Sequence, residues 1–319
     1  MSLAMLLIGG VVCLVVGGES LVRGAVAVAR HMGVSPLLIG LTLVGFGTST
    51  PELVTSLQAA AAGSPGVAVG NVIGSNIANI LLILGVAALV RPVMASPAAF
   101  RRDGPMVVLA ALAALAVVVI GEVGRAVGAA LVAVLVVYVV ATYLLERRAA
   151  AADAGAVMHA AEADAALAPP AGLAGAIGYL VGGLALTVLG ARLLVDGAIG
   201  LAADLGVSDT LVGLTLVAVG TSLPELVTSV IAALRGQSDV AFGNIIGSNI
   251  VNILGILGLT AVVVPIPIPP EVAAVDIWVM LAATGALLAA VVSGWRVTRL
   301  EGAVLLAGYA IYLLRFAVV

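Results

Sequence analysis

Two glutamates, Glu52 and Glu225, stand inside apolar runs that read GTSTPELVTS (47–56) and GTSLPELVTS (220–229). A charge at the centre of a bilayer costs at least ~2.5–3.5 kcal/mol on insertion scales, so an acid at that depth calls for a partner. On a helix, Thr48, Glu52 and Ser56 are spaced i, i+4, i+8, and Ser49 lies three before Glu52, which makes one polar stripe. Thr221, Ser222, Glu225 and Ser229 repeat it. Such a stripe can glue helices together with the acid protonated, or it can handle ions or protons. Two acids at equivalent places in two halves favour the second.

A partner motif follows each stripe, GNVIGSNIANI (70–80) and GNIIGSNIVNI (243–253). Asn71, Ser75 and Asn79 share a helix face, as do Asn244, Ser248 and Asn252. Alone, these small and amide residues would suit close interhelical packing. Beside the glutamates, Ser75, Asn79, Ser248 and Asn252 read as ligands. Asn71, Asn76, Asn244 and Asn249 divide evenly between ligand and support. Pro51 and Pro224 precede the acids. Each lacks an N–H and clashes four residues back, which frees the carbonyls of Gly47 and Gly220 and should break the helix. The donors are carboxylates, hydroxyls, amide oxygens and freed carbonyls, without His or thiolate. All-oxygen ligation suits Na⁺, K⁺, Mg²⁺ or Ca²⁺ and argues against Zn²⁺ or Cu⁺. Two carboxylates balance one divalent ion, or hold Na⁺ or protons in its absence. Competition for shared carboxylates is a physical basis for exchange.

The elements that must position these residues are membrane helices. The 319 residues are 63% hydrophobic and 9% charged, with a mean hydropathy of +1.31. A soluble domain carries about 25% charged residues. Residues 40–85 align with 213–258, most positions being identical, and the match extends outward without a gap. The expected fold is an all-α polytopic membrane protein of ten transmembrane helices in two inverted five-helix repeats. Helices 2, 3, 7 and 8 would be broken around a central ion site. The repeats are 1–146 and 174–319, joined by a cytoplasmic linker, 147–173. An odd number of spans per repeat inverts the second, the arrangement typical of secondary transporters with a midplane site. Every basic residue is Arg. With the N-terminus outside, inner loops hold Arg30, Arg91, Arg101, Arg102, Arg147, Arg148, Arg235, Arg296 and Arg299, against Arg125 and Arg315 outside. The positive-inside rule therefore places both termini outside. The first apolar run reads as a mature helix rather than a signal peptide, for want of a basic n-region. Cys13 in that run reads as a packing residue. His31 and His159 read as solvated. Asp103, Glu122, Glu146, Asp204, Asp239, Glu271, Asp276 and Glu301 lie near helix ends and read as solvated or interfacial. Glu19 and Arg23, i and i+4, are a candidate pair.

The paired GTS-x-PE and GN-x-x-GSN-x-x-N motifs resemble the two α-repeats of the sodium/calcium exchanger family, within the cation/calcium antiporter superfamily. The resemblance covers nearly the whole chain. It implies the ten-helix exchanger fold, without a regulatory domain, and alternating-access export of Ca²⁺ against Na⁺. Glu52 and Glu225 would be the shared central ligands. Thr48, Ser49, Ser75, Asn79, Thr221, Ser222, Ser248 and Asn252 would complete the neighbouring ion sites. In the family the first and sixth helices slide across a packed core, and here both are Gly-rich. Several exchangers carry Asp where this chain has Asn252. That leaves two carboxylates and keeps H⁺ open as the counter-ion.

The alternatives are a Ca²⁺/H⁺ antiporter of the same fold, a cation channel, and a non-transporting membrane scaffold that leaves the buried acids unexplained. Enzymatic or ATP-driven action has no support, since there is no GxxxxGK[ST] motif or nucleotide-binding domain. Nucleic-acid binding has no basic patch. No cofactor is implied. The expected partners are inorganic cations and the lipid bilayer, in a prokaryotic cell (inner) membrane.

Overall fold

The computed structural model describes residues 3–152, 172–204 and 218–317. The central part of the 147–173 linker, with His159, and residues 209–217 of the seventh expected span lie outside these. The chain begins with a long helix, α1 (Leu3–Met32), followed by α2 (Pro36–Thr48) and α3 (Thr50–Ala61), which meet at a bend of 42°. Next come α4 (Pro65–Val90), strand β1 (Val93–Met94), α5 (Pro97–Ile120), β2 (Glu122–Val123) and α6 (Arg125–Ala152). The second half holds α7 (Gly172–Asp204), α8 (Ala218–Thr221), α9 (Leu223–Leu234), α10 (Ser238–Val263), β3 (Ile266–Pro267), α11 (Val272–Gly294), β4 (Arg296–Val297) and α12 (Arg299–Ala317). Among the described residues, seven helices are long and apolar enough to cross a membrane, or eight if α2 and α3 count as one span.

The expected break in the second helix is at Ser49, whose φ of −81° and ψ of 7° interrupt the helix just before Pro51. Ser222, at φ −89° and ψ 7°, makes the same interruption before Pro224. The third and eighth helices are a correction to the sequence reading. They do not break; each runs on through a π-helical segment, Asn79–Leu84 in α4 and Val251–Leu257 in α10. No proline forces a gap there. A wider turn re-aims side chains while the backbone stays bonded, and such π segments gather at functional sites.

The apolar windows of α4 and α10 are 78% and 89% buried, against 22% for those of α6 and α7, so α4 and α10 form the centre. They cross near their π segments. One core cluster surrounds them and joins α5, α6, α11 and α12. A second ties α1 and α7 to α2 and α9. Backbones in the α1–α7 pair nearly touch. A Cβ on Gly17 would lie 2.6 Å from Thr187 N, and one on Gly10 2.8 Å from Leu194 N.

The halves also interlock through short strands. Val93 pairs with Val297 and Met94 with Arg296; Glu122 pairs with Pro267 and Val123 with Ile266. These registers correct the gapless alignment by one residue. Sequence identity matches Gly121 to Gly294, but the left-handed helix ends are Gly121 (φ 86°) and Trp295 (φ 55°). The second half therefore carries one extra residue before β4. The helix involved, α11, opens with a π turn at Val272–Asp276, whereas α5 has none.

A further correction concerns the acids. Asp103, expected to be solvated or interfacial, is 2% exposed. Arg102 donates to it from Nε (2.6 Å) and Nη2 (2.8 Å), and Tyr138 from its hydroxyl (2.8 Å). Arg102 also reaches Glu146 (2.7 Å), which accepts from Ser35 N (2.8 Å) and Ser35 Oγ (2.7 Å) at the start of α2. Glu19 pairs with Arg23 as anticipated (2.7 Å), and additionally with Arg235 at the end of α9 (2.8 Å).

Two outcomes follow for thermal unfolding in detergent. Arg102→Ala strands a buried carboxylate and should cost about 3–5 kcal/mol, while Arg101→Ala, at an exposed position, should change little. Gly17→Leu should lower Tm through an overpacking cost of about 1–3 kcal/mol or more, while Gly9→Leu, with open space at its Cβ, should not.

Candidate ion-binding site

The sequences Ser49-x-x-Glu52 and Ser222-x-x-Glu225 have the form of a capping box, in which the serine bonds the first turn of its own helix. Neither serine does so. Ser49 Oγ instead donates to Glu225 Oε1 in the other half (2.9 Å), and Ser222 Oγ donates to Glu52 Oε1 (3.0 Å). The serines extend the crossing to the partner motifs: Ser49 Oγ lies 3.1 Å from Ser248 Oγ, and Ser222 Oγ 3.4 Å from Ser75 Oγ. Two prolines set this up. By stopping the incoming helix, they leave each serine in non-helical backbone at the point where the halves meet.

Both carboxylates are 1% exposed and sit in the first turn of α3 and α9, where the positive end of the helix dipole favours an anion. An ionised carboxylate can accept about four hydrogen bonds. Each of these takes one from a serine on Oε1, while Glu52 Oε2 and Glu225 Oε2 are buried without a partner among the described residues. Asn79 Oδ1 and Asn252 Oδ1, in the π segments, are likewise buried and unpartnered. Asn252 Nδ2 has no partner there either; the oxygens without donors, two of them carboxylate, have the chemistry that suits a positive charge.

Other motif residues fix the frame. Asn71 Nδ2 donates to Ser56 Oγ (2.9 Å) and to the carbonyl of Glu52 (3.0 Å). Asn244 Nδ2 makes the matching bonds to Ser229 Oγ (3.0 Å) and the carbonyl of Glu225 (3.3 Å). These amides clamp α3 onto α4 and α9 onto α10. Thr48 Oγ1 lies 3.0 Å from Val44 O and 3.1 Å from Asn244 Oδ1, fully buried. Thr221, its counterpart, is half-buried at the end of α8. The structure thus gathers six of these residues into two matching polar groups, Ser49–Glu225–Ser248 and Ser222–Glu52–Ser75, with Thr48 joined to the first through Asn244. Asn76 and Asn249 turn elsewhere, each donating to the carbonyl four residues back. Sequence reasoning missed Thr228, a fully buried hydroxyl one turn past Glu225 with no partner among the described residues. Its i+3 spacing from Glu225 was the available signal.

Comparisons with known proteins bear on the family and the fold. A profile of the family described as "Sodium/calcium exchanger protein" matches residues 2–144 and again 175–318. The chain is 40% identical over 306 residues to CaxA of Alkalimonas amylolytica, covering 95% of each. It is 35% identical over 338 residues to the sodium/calcium exchanger MaX1 of Methanosarcina acetivorans, covering 97% of each. Its fold matches the sodium-calcium exchanger NCX_Mj, soaked with 2.5 mM Na⁺ and 0.1 mM Ca²⁺, at a TM-score of 0.79 and 32% identity, covering 98% of this chain and 97% of that one. A buried, crossed pair of acids in a bundle of apolar helices, and likeness over nearly the full length, lead to one assignment: the chain is an integral membrane transporter, not an enzyme, and belongs to the sodium/calcium exchanger family.

Proposed function

We propose that the chain exports Ca²⁺ in exchange for Na⁺ by alternating access, the two ions competing for Glu52 and Glu225. The observation that carries this reading is the reciprocal Ser49–Glu225 and Ser222–Glu52 bonding. It leaves one oxygen of each carboxylate, and the amide oxygens of Asn79 and Asn252, without donors. Ser49, Ser222, Ser75, Ser248, Thr48 and Thr221 supply the surrounding hydroxyls. Ca²⁺ takes 6–8 oxygens in flexible geometry, which this mixed set suits. The ions are cargo, and no resident cofactor is required.

In this reading residues 1–146 and 174–319 are two five-helix repeats of opposite orientation, joined by the cytoplasmic segment 147–173. The seventh span includes α8 and α9, and α12 is the tenth. The strand pairs support it. With both termini outside, β1 and β4 both fall at the inner surface and β2 and β3 at the outer, and those are the pairs that form. The Ser35–Glu146–Arg102–Asp103 network then lies at the inner, Arg-rich end. The location is the cell membrane, the inner one where there are two. Asn252 is the observation that favours H⁺ as an alternative counter-ion, because an amide there leaves only two acids.

The test is ⁴⁵Ca²⁺ uptake into proteoliposomes, with and without internal Na⁺ and with and without a pH gradient. Uptake should require internal Na⁺ and be lost in both Glu52→Gln and Glu225→Gln. Uptake driven by the pH gradient alone would replace Na⁺ by H⁺. No Ca²⁺ flux under any gradient would sink the substrate assignment. The framing and ligating roles should also separate. Asn71→Ala should lower Tm by the loss of two part-buried bonds that leaves Ser56 Oγ and the Glu52 carbonyl without this donor, about 1–3 kcal/mol, while Ser49→Ala should change the Ca²⁺ concentration for half-maximal uptake more than Tm.

A further inference from the structure

Asn76 and Asn249 hold equivalent places in the two GSN motifs, yet neither joins the carboxylate network. Each spends one N–H on its own helix: Asn76 Nδ2 donates to Val72 O (2.8 Å) and Asn249 Nδ2 to Ile245 O (2.7 Å). Both side chains line a small cavity of ≈ 10 Å³, together with Val107, Ala111, Met280 and Thr284 of α5 and α11. Thr284 Oγ1 donates to Met280 O (2.9 Å), so its lone pairs remain. The three polar side chains are 3%, 4% and 6% exposed. Each amide retains Oδ1 and a second N–H for which the described residues provide no partner, an unmet capacity that is costly in a buried wall.

The size and chemistry of this wall select its occupant. A water needs roughly 10–15 Å³ and two to four polar partners, and this cavity is at that lower bound with three. A hard cation would meet only neutral oxygens, at most three, alongside N–H groups that repel it. No charged side chain lines the space. We propose that the cavity is a site for one resident water, hydrogen-bonded to both Asn76 and Asn249. It pins α4 to α10 where both face α5 and α11. The proposal rests on the cavity lining and stands whether or not the ion-site reading holds.

Two measurements test it. Millisecond X-ray radiolysis oxidises side chains beside bound water. Met280, only 1% exposed, should be labelled, and Asn76→Leu, which removes a partner and fills the space, should cut that yield several-fold. An unlabelled Met280 in the wild-type protein overturns the proposal. Crystals grown in Na⁺ should show one density peak within hydrogen-bonding reach of both amides, with no anomalous signal there after exchange into Tl⁺. An empty cavity, or a Tl⁺ peak marking a cation site, also overturns it. The wild-type arms suffice if the variant does not fold.

Discussion

The reciprocal bonding of Ser49 to Glu225 and Ser222 to Glu52 is the constraint on which the rest of the structure depends. Each carboxylate is held by a hydroxyl from the other half, so neither half can shape its own acid alone. A hydrogen bond to a charged group contributes about 1.5–3 kcal/mol, and a helix N-terminus up to ~2 kcal/mol in a partly buried setting. Against these stand the cost of burying two carboxylates and the repulsion between them. The protein has left these acids short of donors while clamping everything around them. Asn71 and Asn244 fix the backbone of each glutamate, and glycines let α2 and α10 approach until a Cβ on Gly40 would lie 2.8 Å from Val240 O. A rigid frame around under-satisfied charge is what a site for an exchangeable cation requires.

Much of this was legible in the chain. Composition announced the membrane, the duplicated motifs announced two matching halves, and Pro51 and Pro224 located the interruptions at Ser49 and Ser222. What escaped has physical reasons. A π segment needs one surplus residue per turn, and inside the uniformly apolar run after Asn79 nothing marks which turn takes it. The capping-box spacing argues for a local serine–helix bond, and only the folded chain shows that the opposite glutamate wins that hydroxyl. Asp103 reads as interfacial because it lies near a helix start. Its burial depends on Tyr138 and on Arg102, which also holds Glu146, and these contacts link residues far apart in sequence. The one-residue slip hid because a Gly–Gly identity at 121 and 294 outscores the true equivalence of Gly121 with Trp295, which tolerates φ 55° while its ring packs edge-on to Phe100 at 6.2 Å.

The departures from two-fold likeness carry as much argument as the likeness. Asp103 and Asp276 each accept from a tyrosine, Tyr138 and Tyr312, yet Arg102 has Val275 as its counterpart. The end of the molecule holding Arg102 is therefore strapped by a guanidinium spanning Asp103 and Glu146, and Glu146 in turn holds the start of α2 at Ser35. The same end holds Glu19 between Arg23 and Arg235, which ties α1 to α9. In the proposed inverted arrangement, two identical repeats would present the same surface to both sides of the membrane. The charged groups at one end break that equivalence, while the hydroxyls and carboxylates at the centre remain nearly symmetric. Under the proposed alternating access, divergence at the ends would tune how readily each side opens without disturbing the shared chemistry between them.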